Sequence, residues 1–141
     1  MTIIRLVYAS SAAESTSLDD VKAIVRSAGS KNYKGHITGF MCASSDYFLQ
    51  CLEGEADQVD RLYEKISEDG RHHSLTLLSR EEVDTYSFKD WSMGCVLLIE
   101  RHKDILAKHG VMGVFNPYEL TESESLALLS DFSKLRHGQY D

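Results

Sequence analysis

The first apolar run, Ile3-Ile4-Arg5-Leu6-Val7-Tyr8-Ala9, is rich in β-branched and aromatic residues and ends in small polar ones. That pattern predicts a buried strand with Ile4, Leu6 and Tyr8 on one face. The period then changes. Leu18, Val21, Ile24, Val25 and Ala28 recur at helical spacing behind Ser17, an N-cap residue with Asp20 at the third helical position, and Gly29 ends the run. His36–Cys42 and Tyr47–Leu52 read as two strands, and Ala43-Ser44-Ser45-Asp46 between them has the composition of a reversing turn, so the pair predicts a hairpin. Ala56, Val59, Leu62, Tyr63 and Ile66 make a second amphipathic helix closed by Asp69-Gly70. Leu75–Leu78 and Met93–Ile99 supply two more strands.

The order β-α-β-β-α-β plus a fifth strand predicts an α+β domain with a ferredoxin-like sheet and both helices on one face. The strands that precede the helices, ending near Tyr8 and Leu52, are expected as parallel central neighbours. Beyond Glu100 the chain changes character: Asp104–His109 is a short helical stretch, Asn116-Pro117 breaks the chain, and Thr121–Leu135 reads as a capped helix. Its stripe of Leu128, Leu129, Phe132 and Leu135 is expected to cover the opposite face of the sheet, which would otherwise expose apolar surface. Residues 1–100 are thus read as one domain and 101–141 as a helical extension too short to fold as a separate output domain.

Composition narrows the function. With 15 Lys and Arg against 22 Asp and Glu the formal net charge is −7, a field that repels phosphate backbones and anionic membrane surfaces. Direct nucleic-acid binding and membrane attachment are not expected. No apolar run approaches a membrane span, and the first strand leads into polar residues, so a cytoplasmic protein is expected. Cys42, Cys51 and Cys95 lie in apolar strand-like stretches without Cys-x-x-Cys spacing, and the hairpin sets Cys42 opposite about residue 48. Disulfides are therefore not expected. Nor is a metal site: His72 and His73 are adjacent and cannot both face one ion from a regular element.

Gln50 does not fit its surroundings. Alternation places it between Phe48 and Leu52 on one face, where a buried carboxamide needs partners or costs about 1–3 kcal/mol. Tyr8 is a neighbour on the same face. One reading is a Tyr–Gln hydrogen bond in an ordinary core. The other is an amide that also faces a heterocyclic ligand between the helices, with Ile24 and Ile66 covering the ring faces. Two residues leave both open.

Further motifs resemble those of the BLUF family, sensors of blue light using FAD. They are a first strand ending in Tyr8, Asn32 followed by Ile37-Thr38-Gly39, Phe48-Leu49-Gln50-Cys51-Leu52-Glu53-Gly54, Asp69-Gly70-Arg71-His72, and Trp91-Ser92-Met93. The resemblance runs from about Ile3 to Glu100. It implies a flavin between the two helices, FAD with FMN or riboflavin as alternatives, in a pocket that Phe48 shares, the ring edge hydrogen-bonded by Gln50 and Asn32. It implies that Tyr8 gives an electron and a proton to the excited flavin, that Gln50 relays the proton, and that Trp91 and Met93 transmit the change. Lys31, Lys65, Asp69, Arg71 and His72 are implied as contacts to the polar edge, ribityl chain or phosphates. Lys31 departs from the polar amide frequent before Asn32, and Ala28 stands where a hydroxyl residue is frequent.

Two other functions are found on this kind of fold. A small acylphosphatase-like hydrolase on this fold needs an anion cradle after the first strand, whereas Ala9-Ser10-Ser11-Ala12-Ala13-Glu14 carries no basic residue and one acid. A regulatory module binding a metabolite or a protein fits the fold but gives no reason for Tyr8, Gln50, Asn32 and Trp91-Ser92-Met93 together. The expected protein is a photosensor without enzymatic activity that signals to a separate partner protein and is compatible with a homo-oligomer.

Overall fold

The computed structural model describes residues 2–14, 17, 19, 20, 23, 37–44, 46–88, 94–98, 102–111, 113 and 115–136. Five strands, β1 (Ile3–Ala12), β2 (Thr38–Ala43), β3 (Tyr47–Glu55), β4 (His72–Glu82) and β5 (Gly94–Leu97), form one sheet in the order β4-β1-β3-β2-β5. The described helices are α1 (Ala56–Ser67), α2 (Lys103–Lys108) and α3 (Glu122–Arg136), with a single 3-10 turn at Pro117–Glu119. Of the first predicted helix, the described part is its cap. Ser17 N donates to Asp20 Oδ2 at 2.9 Å and Asp20 N donates to Ser17 Oγ at 3.2 Å, a reciprocal box that satisfies two helix-start donors.

The strands follow the predicted order, with one correction. β1 and β3 are central neighbours, but they pair antiparallel and not parallel. β3 lies between β1 and β2 and pairs antiparallel with each, so β1 and β2 run in the same direction and the β2–β3 hairpin supplies the reversal. The parallel pair is β2 with β5. β4 extends well beyond Leu75–Leu78, because Ser79–Glu82 continue the ladder along Val7–Ile4. The described part of β5 is Gly94–Leu97, with Leu98 outside it, and Met93 and Ile99 lie outside the described residues.

Period-two alternation divides the core. On one face Ile4, Leu6, Tyr8, Ile37 and Leu52 pack with Val59, Leu62, Tyr63 and Ile66 of α1. On the other, Val7, Phe40, Cys42, Leu49, Cys51, Phe88 and Val96 pack with Leu128, Leu129 and Phe132 of α3. Helix α3 begins at a capping box: Glu124 N donates to Thr121 Oγ1 at 3.1 Å and Thr121 N to Glu124 Oε1 at 2.9 Å. Cys42 and Cys51 are buried thiols, and Cys42 sits opposite Leu49. Among the described residues no helix is long and apolar enough to cross a membrane.

Candidate functional site

Antiparallel register puts Tyr8 directly opposite Gln50, and Gln50 directly opposite Met41. The row continues to Leu77 on one side and Cys95 on the other. Both polar members are buried, and the Tyr8 hydroxyl donates to Gln50 Oε1. With its carbonyl oxygen accepting from Tyr8, the amide's N–H₂ is its donor end. Burial is the main force holding the Tyr8 phenol in its neutral form, pushing its pKa far above the ordinary value, and the nearby Tyr63 and Asp69 add to it. Tyr8 is therefore a neutral hydrogen-bond donor across the physiological range. Tyr63 of α1 lies against it with ring centroids 5.4 Å apart and planes tilted by 59°.

The polar residues after α1 cluster at the end of the same face. Arg71 grips Asp69 from its backbone N at 2.9 Å, from Nε at 3.0 Å and from Nη2 at 2.6 Å. The guanidinium hydrogen bonds hold the Asp69 carboxyl down to about 2, against the opposing effect of partial burial. His72 faces inward: Nε2 donates to the Ile66 carbonyl at 2.6 Å, and Nδ1 pairs with Ser10 Oγ at 2.9 Å. Its ring stands edge-on to Phe48 at 5.9 Å. Lys65 is exposed in the last turn of α1, where its charge faces the negative end of the helix dipole.

The structure thus brings together Tyr8, Gln50, Phe48, Ile66, Asp69, Arg71 and His72. Ile24, Lys31, Asn32, Trp91 and Met93 lie outside the described residues. Residues that the sequence did not single out for the site are Met41, Tyr63, Ser10 and Glu53. Met41 and Ser10 follow from register alone; Tyr63 was visible only as one apolar position of a helix.

Glu53, on the opposite face of β3, is fully buried and accepts from Arg5 Nε at 3.0 Å and from the backbone N of Ser87 and Phe88 at 2.8 Å each. It ties the connection between β4 and β5 to the centre of the sheet. Among the described residues, no group of three or more His, Cys, Asp or Glu is arranged to hold a metal ion.

A buried amide donor beside a neutral phenol, walled by Phe48 and Ile66 and flanked by a charged Asp–Arg pair, suits a planar heterocycle with a polar tail. This donor set fits a flavin. The family model described as sensors of blue light using FAD matches residues 3–94. Photoactivated adenylate cyclase subunit beta of Euglena gracilis is 39% identical over 75 residues, covering 53% of this chain and 9% of that protein. The blue light- and temperature-regulated antirepressor BluF of Escherichia coli strain K12 is 29% identical over 73 residues, covering 52% of this chain and 18% of the relative. The chain therefore matches only a small part of these relatives' length. Among solved structures, BlsA in its photo-activated state superposes with a TM-score of 0.81 at 33% identity, over 92% of this chain and 93% of that one. BlrB in its dark state, at 24% identity and a TM-score of 0.79 over 95% and 96% of the two chains, shares the fold. A ferredoxin-like sheet with a buried Tyr8–Gln50 pair defines the class, and the chain belongs to the BLUF family of blue-light sensors using FAD.

Proposed function

We propose that this chain is a blue-light photoreceptor that holds FAD non-covalently against Tyr8 and Gln50 and passes a hydrogen-bond rearrangement to a separate protein. The observation that carries this is the buried Tyr8–Gln50 hydrogen bond set by direct cross-strand register. The flavin, when bound, absorbs blue light and becomes a strong oxidant in its excited state. Tyr8, a buried neutral phenol, would give an electron to the excited flavin and its hydroxyl proton to Gln50 Oε1, and would later recover both. Gln50 accepts that proton at Oε1, passes one on from its nitrogen end, and returns in a changed tautomer or orientation. Because donors and acceptors of one amide exchange places, the same atoms then present a different hydrogen-bonding edge.

The remaining roles follow the site. Asn32 shares the ring edge with Gln50, and Ile24 with Ile66 covers the ring faces, with Phe48 beside them. Trp91 and Met93 transmit the change toward β5. Asp69, Arg71, Lys65 and Lys31 serve the ribityl and phosphate end. His72, whose two ring nitrogens are used by Ser10 and the Ile66 carbonyl, supports that end from below. Residues 1–100 form the flavin domain and 101–141 an extension on the opposite face. The net charge of −7 favours a protein partner over nucleic acid.

Purified protein should be yellow, and blue light should shift its visible absorption reversibly to the red. Chromatography of the flavin released on denaturation identifies FAD, FMN or riboflavin. A colourless protein that releases no flavin refutes the proposal. Tyr8→Phe should retain flavin and lose the shift.

A further inference from the structure

β1 carries two adjacent serines that hold partners on opposite faces of the sheet. On the pocket face, Ser10 Oγ lies 2.9 Å from His72 Nδ1. A carbonyl can only accept, so His72 Nε2 carries the proton toward Ile66 O, and in the neutral ring Nδ1 accepts from the Ser10 hydroxyl. His72 stands edge-on to Phe48, which precedes Gln50 by two positions on the same face. On the other face, Ser11 Oγ lies 2.8 Å from the hydroxyl of Tyr118, in the 3-10 turn just before α3. Tyr118 donates to the Ser74 carbonyl at 3.0 Å, which makes Ser11 the donor to Tyr118. The Tyr118 ring also meets Tyr47 edge-on at 5.9 Å.

These contacts converge on an irregularity in the ladder. Between Ala9↔Thr76 and Ser11↔His73, β4 has one more residue than β1, and Ser74 within that bulge has a φ of 57°. A left-handed serine is a strained conformation that surrounding contacts must hold. Here the Tyr118 hydroxyl holds its carbonyl and His73 Nδ1 its side chain, at 2.7 Å. A bulge re-aims side chains and often lies next to a functional site.

We propose that Ser10 and Ser11, with His72 and Tyr118, form a through-sheet relay that couples the pocket to α3, Tyr118 being the positioning residue on the output side. It rests on the photoreceptor reading above. A change at Gln50 displaces Phe48 and the His72 ring; the Ser10 hydrogen bond carries this into the β1 backbone, and Ser11 and the bulge at Ser74 carry it to Tyr118. This route uses β1 and β4, and so differs from one through Trp91, Met93 and β5.

The test is hydrogen–deuterium exchange of Glu122–Arg136 in the full flavin-loaded chain, in the dark and under blue light, for wild type, Ser10→Ala, Ser11→Ala, Tyr118→Phe and Asp131→Asn. Ser10→Ala is decisive, since its side chain is on the face away from α3. Wild type should show a light-dependent change in exchange at the start of α3. Ser11→Ala and Tyr118→Phe should keep the red shift, and in all three relay variants that change in exchange should fall at least threefold. Asp131→Asn, which removes the charge from the contact of His109 Nε2, at the end of α2, with Asp131 of α3 at 2.7 Å, should keep it. Should one relay variant fail to fold, the other two carry the same expectation. An unchanged response in Ser10→Ala overturns the relay, as does an equal loss in Asp131→Asn, which would mean general loosening. A wild type with a red shift but no light response in α3 also overturns it; a wild type without the red shift overturns the photoreceptor reading itself.

Discussion

Glu53→Ala tests whether one buried carboxylate holds the β4–β5 connection to the sheet. The Glu53 side chain is fully buried, and that of Arg5 is 13% exposed. Removing the carboxylate leaves the guanidinium without its principal partner and takes away the acceptor of the Ser87 and Phe88 backbone N–H groups. Breaking a buried pair from one side costs about 3–5 kcal/mol. Arg5 retains Ser87 Oγ at 2.7 Å and the exposed Glu81 at 3.5 Å, which places the expected loss near the lower end, about 3 kcal/mol. Glu53→Gln keeps the volume and one acceptor but turns an N–H₂ toward donors, so it should lose about 2 kcal/mol. Arg5→Met should make the Gln substitution less costly, because the charge it leaves unpaired is gone, and a double-mutant cycle reads that coupling. Urea unfolding followed by circular dichroism in the dark measures wild type and all four variants, with the slope checked for constancy. A Glu53→Ala loss below about 1 kcal/mol, the scale of an exposed ion pair, would refute the assigned role.

Three further outcomes follow from particular groups. Tyr8's folded-state pKa is raised, so its stabilising contribution is complete below about pH 10 and is lost above it as the unfolded chain ionises. An ultraviolet difference titration of wild type against Tyr8→Phe should show no Tyr8 ionisation near pH 10, and an ordinary midpoint would contradict its burial. Asp69's folded-state pKa is depressed to about 2, so its contribution is present above the unfolded value of about 3.9 and fades as pH falls through 2. The stability gap between wild type and Asp69→Asn should therefore narrow from pH 5 to pH 2, and a constant gap would reject the Arg71 pairing. Thr121→Ala removes the side-chain acceptor for Glu124 N and should cost about 1 kcal/mol in thermal or urea unfolding, while Ser123→Ala serves as an exposed control.

The elements were legible where a period was sustained. Val59, Leu62, Tyr63 and Ile66 mark α1 because one helical stripe faces one sheet, and Ile4, Leu6 and Tyr8 mark β1 because alternate residues share a core. Tyr8 and Gln50 were legible as a pair because a buried amide needs a partner. Direction was harder to read. Alternation along a strand is the same whichever way its neighbour runs, so the relation of β1 to β3 depended on following the chain reversals. The polar end of β4 carried no apolar signal: Arg80 is exposed and pairs with Asp60 at 2.8 Å, while the backbone ladder alone continues the strand. Glu53 and the Ser10–His72 pair were hidden because their partners lie 34 to 62 positions away, and register is fixed by the whole sheet. The bulge at Ser74 was hidden too, since serine is not the residue that a positive φ selects.

A limit on signal strength follows from the size of the switch. If light exchanges the donor and acceptor ends of one buried amide, the free energy separating the two states is that of one or two buried hydrogen bonds, about 1–3 kcal/mol. A partner can be favoured in one state by no more than the difference that reaches its surface, so a single rearranged amide supports an affinity ratio between light and dark of about 5- to 150-fold. Transmission through β1 must also leave the core intact, since Val7 and Tyr8 are adjacent and pack on opposite faces. The ratio of partner affinities measured in the dark and under saturating blue light should therefore not exceed about 150-fold. A ratio well beyond it would require a second element to change state at the same time, and the strained bulge at Ser74, held from the extension side by Tyr118, is the described element able to supply the difference.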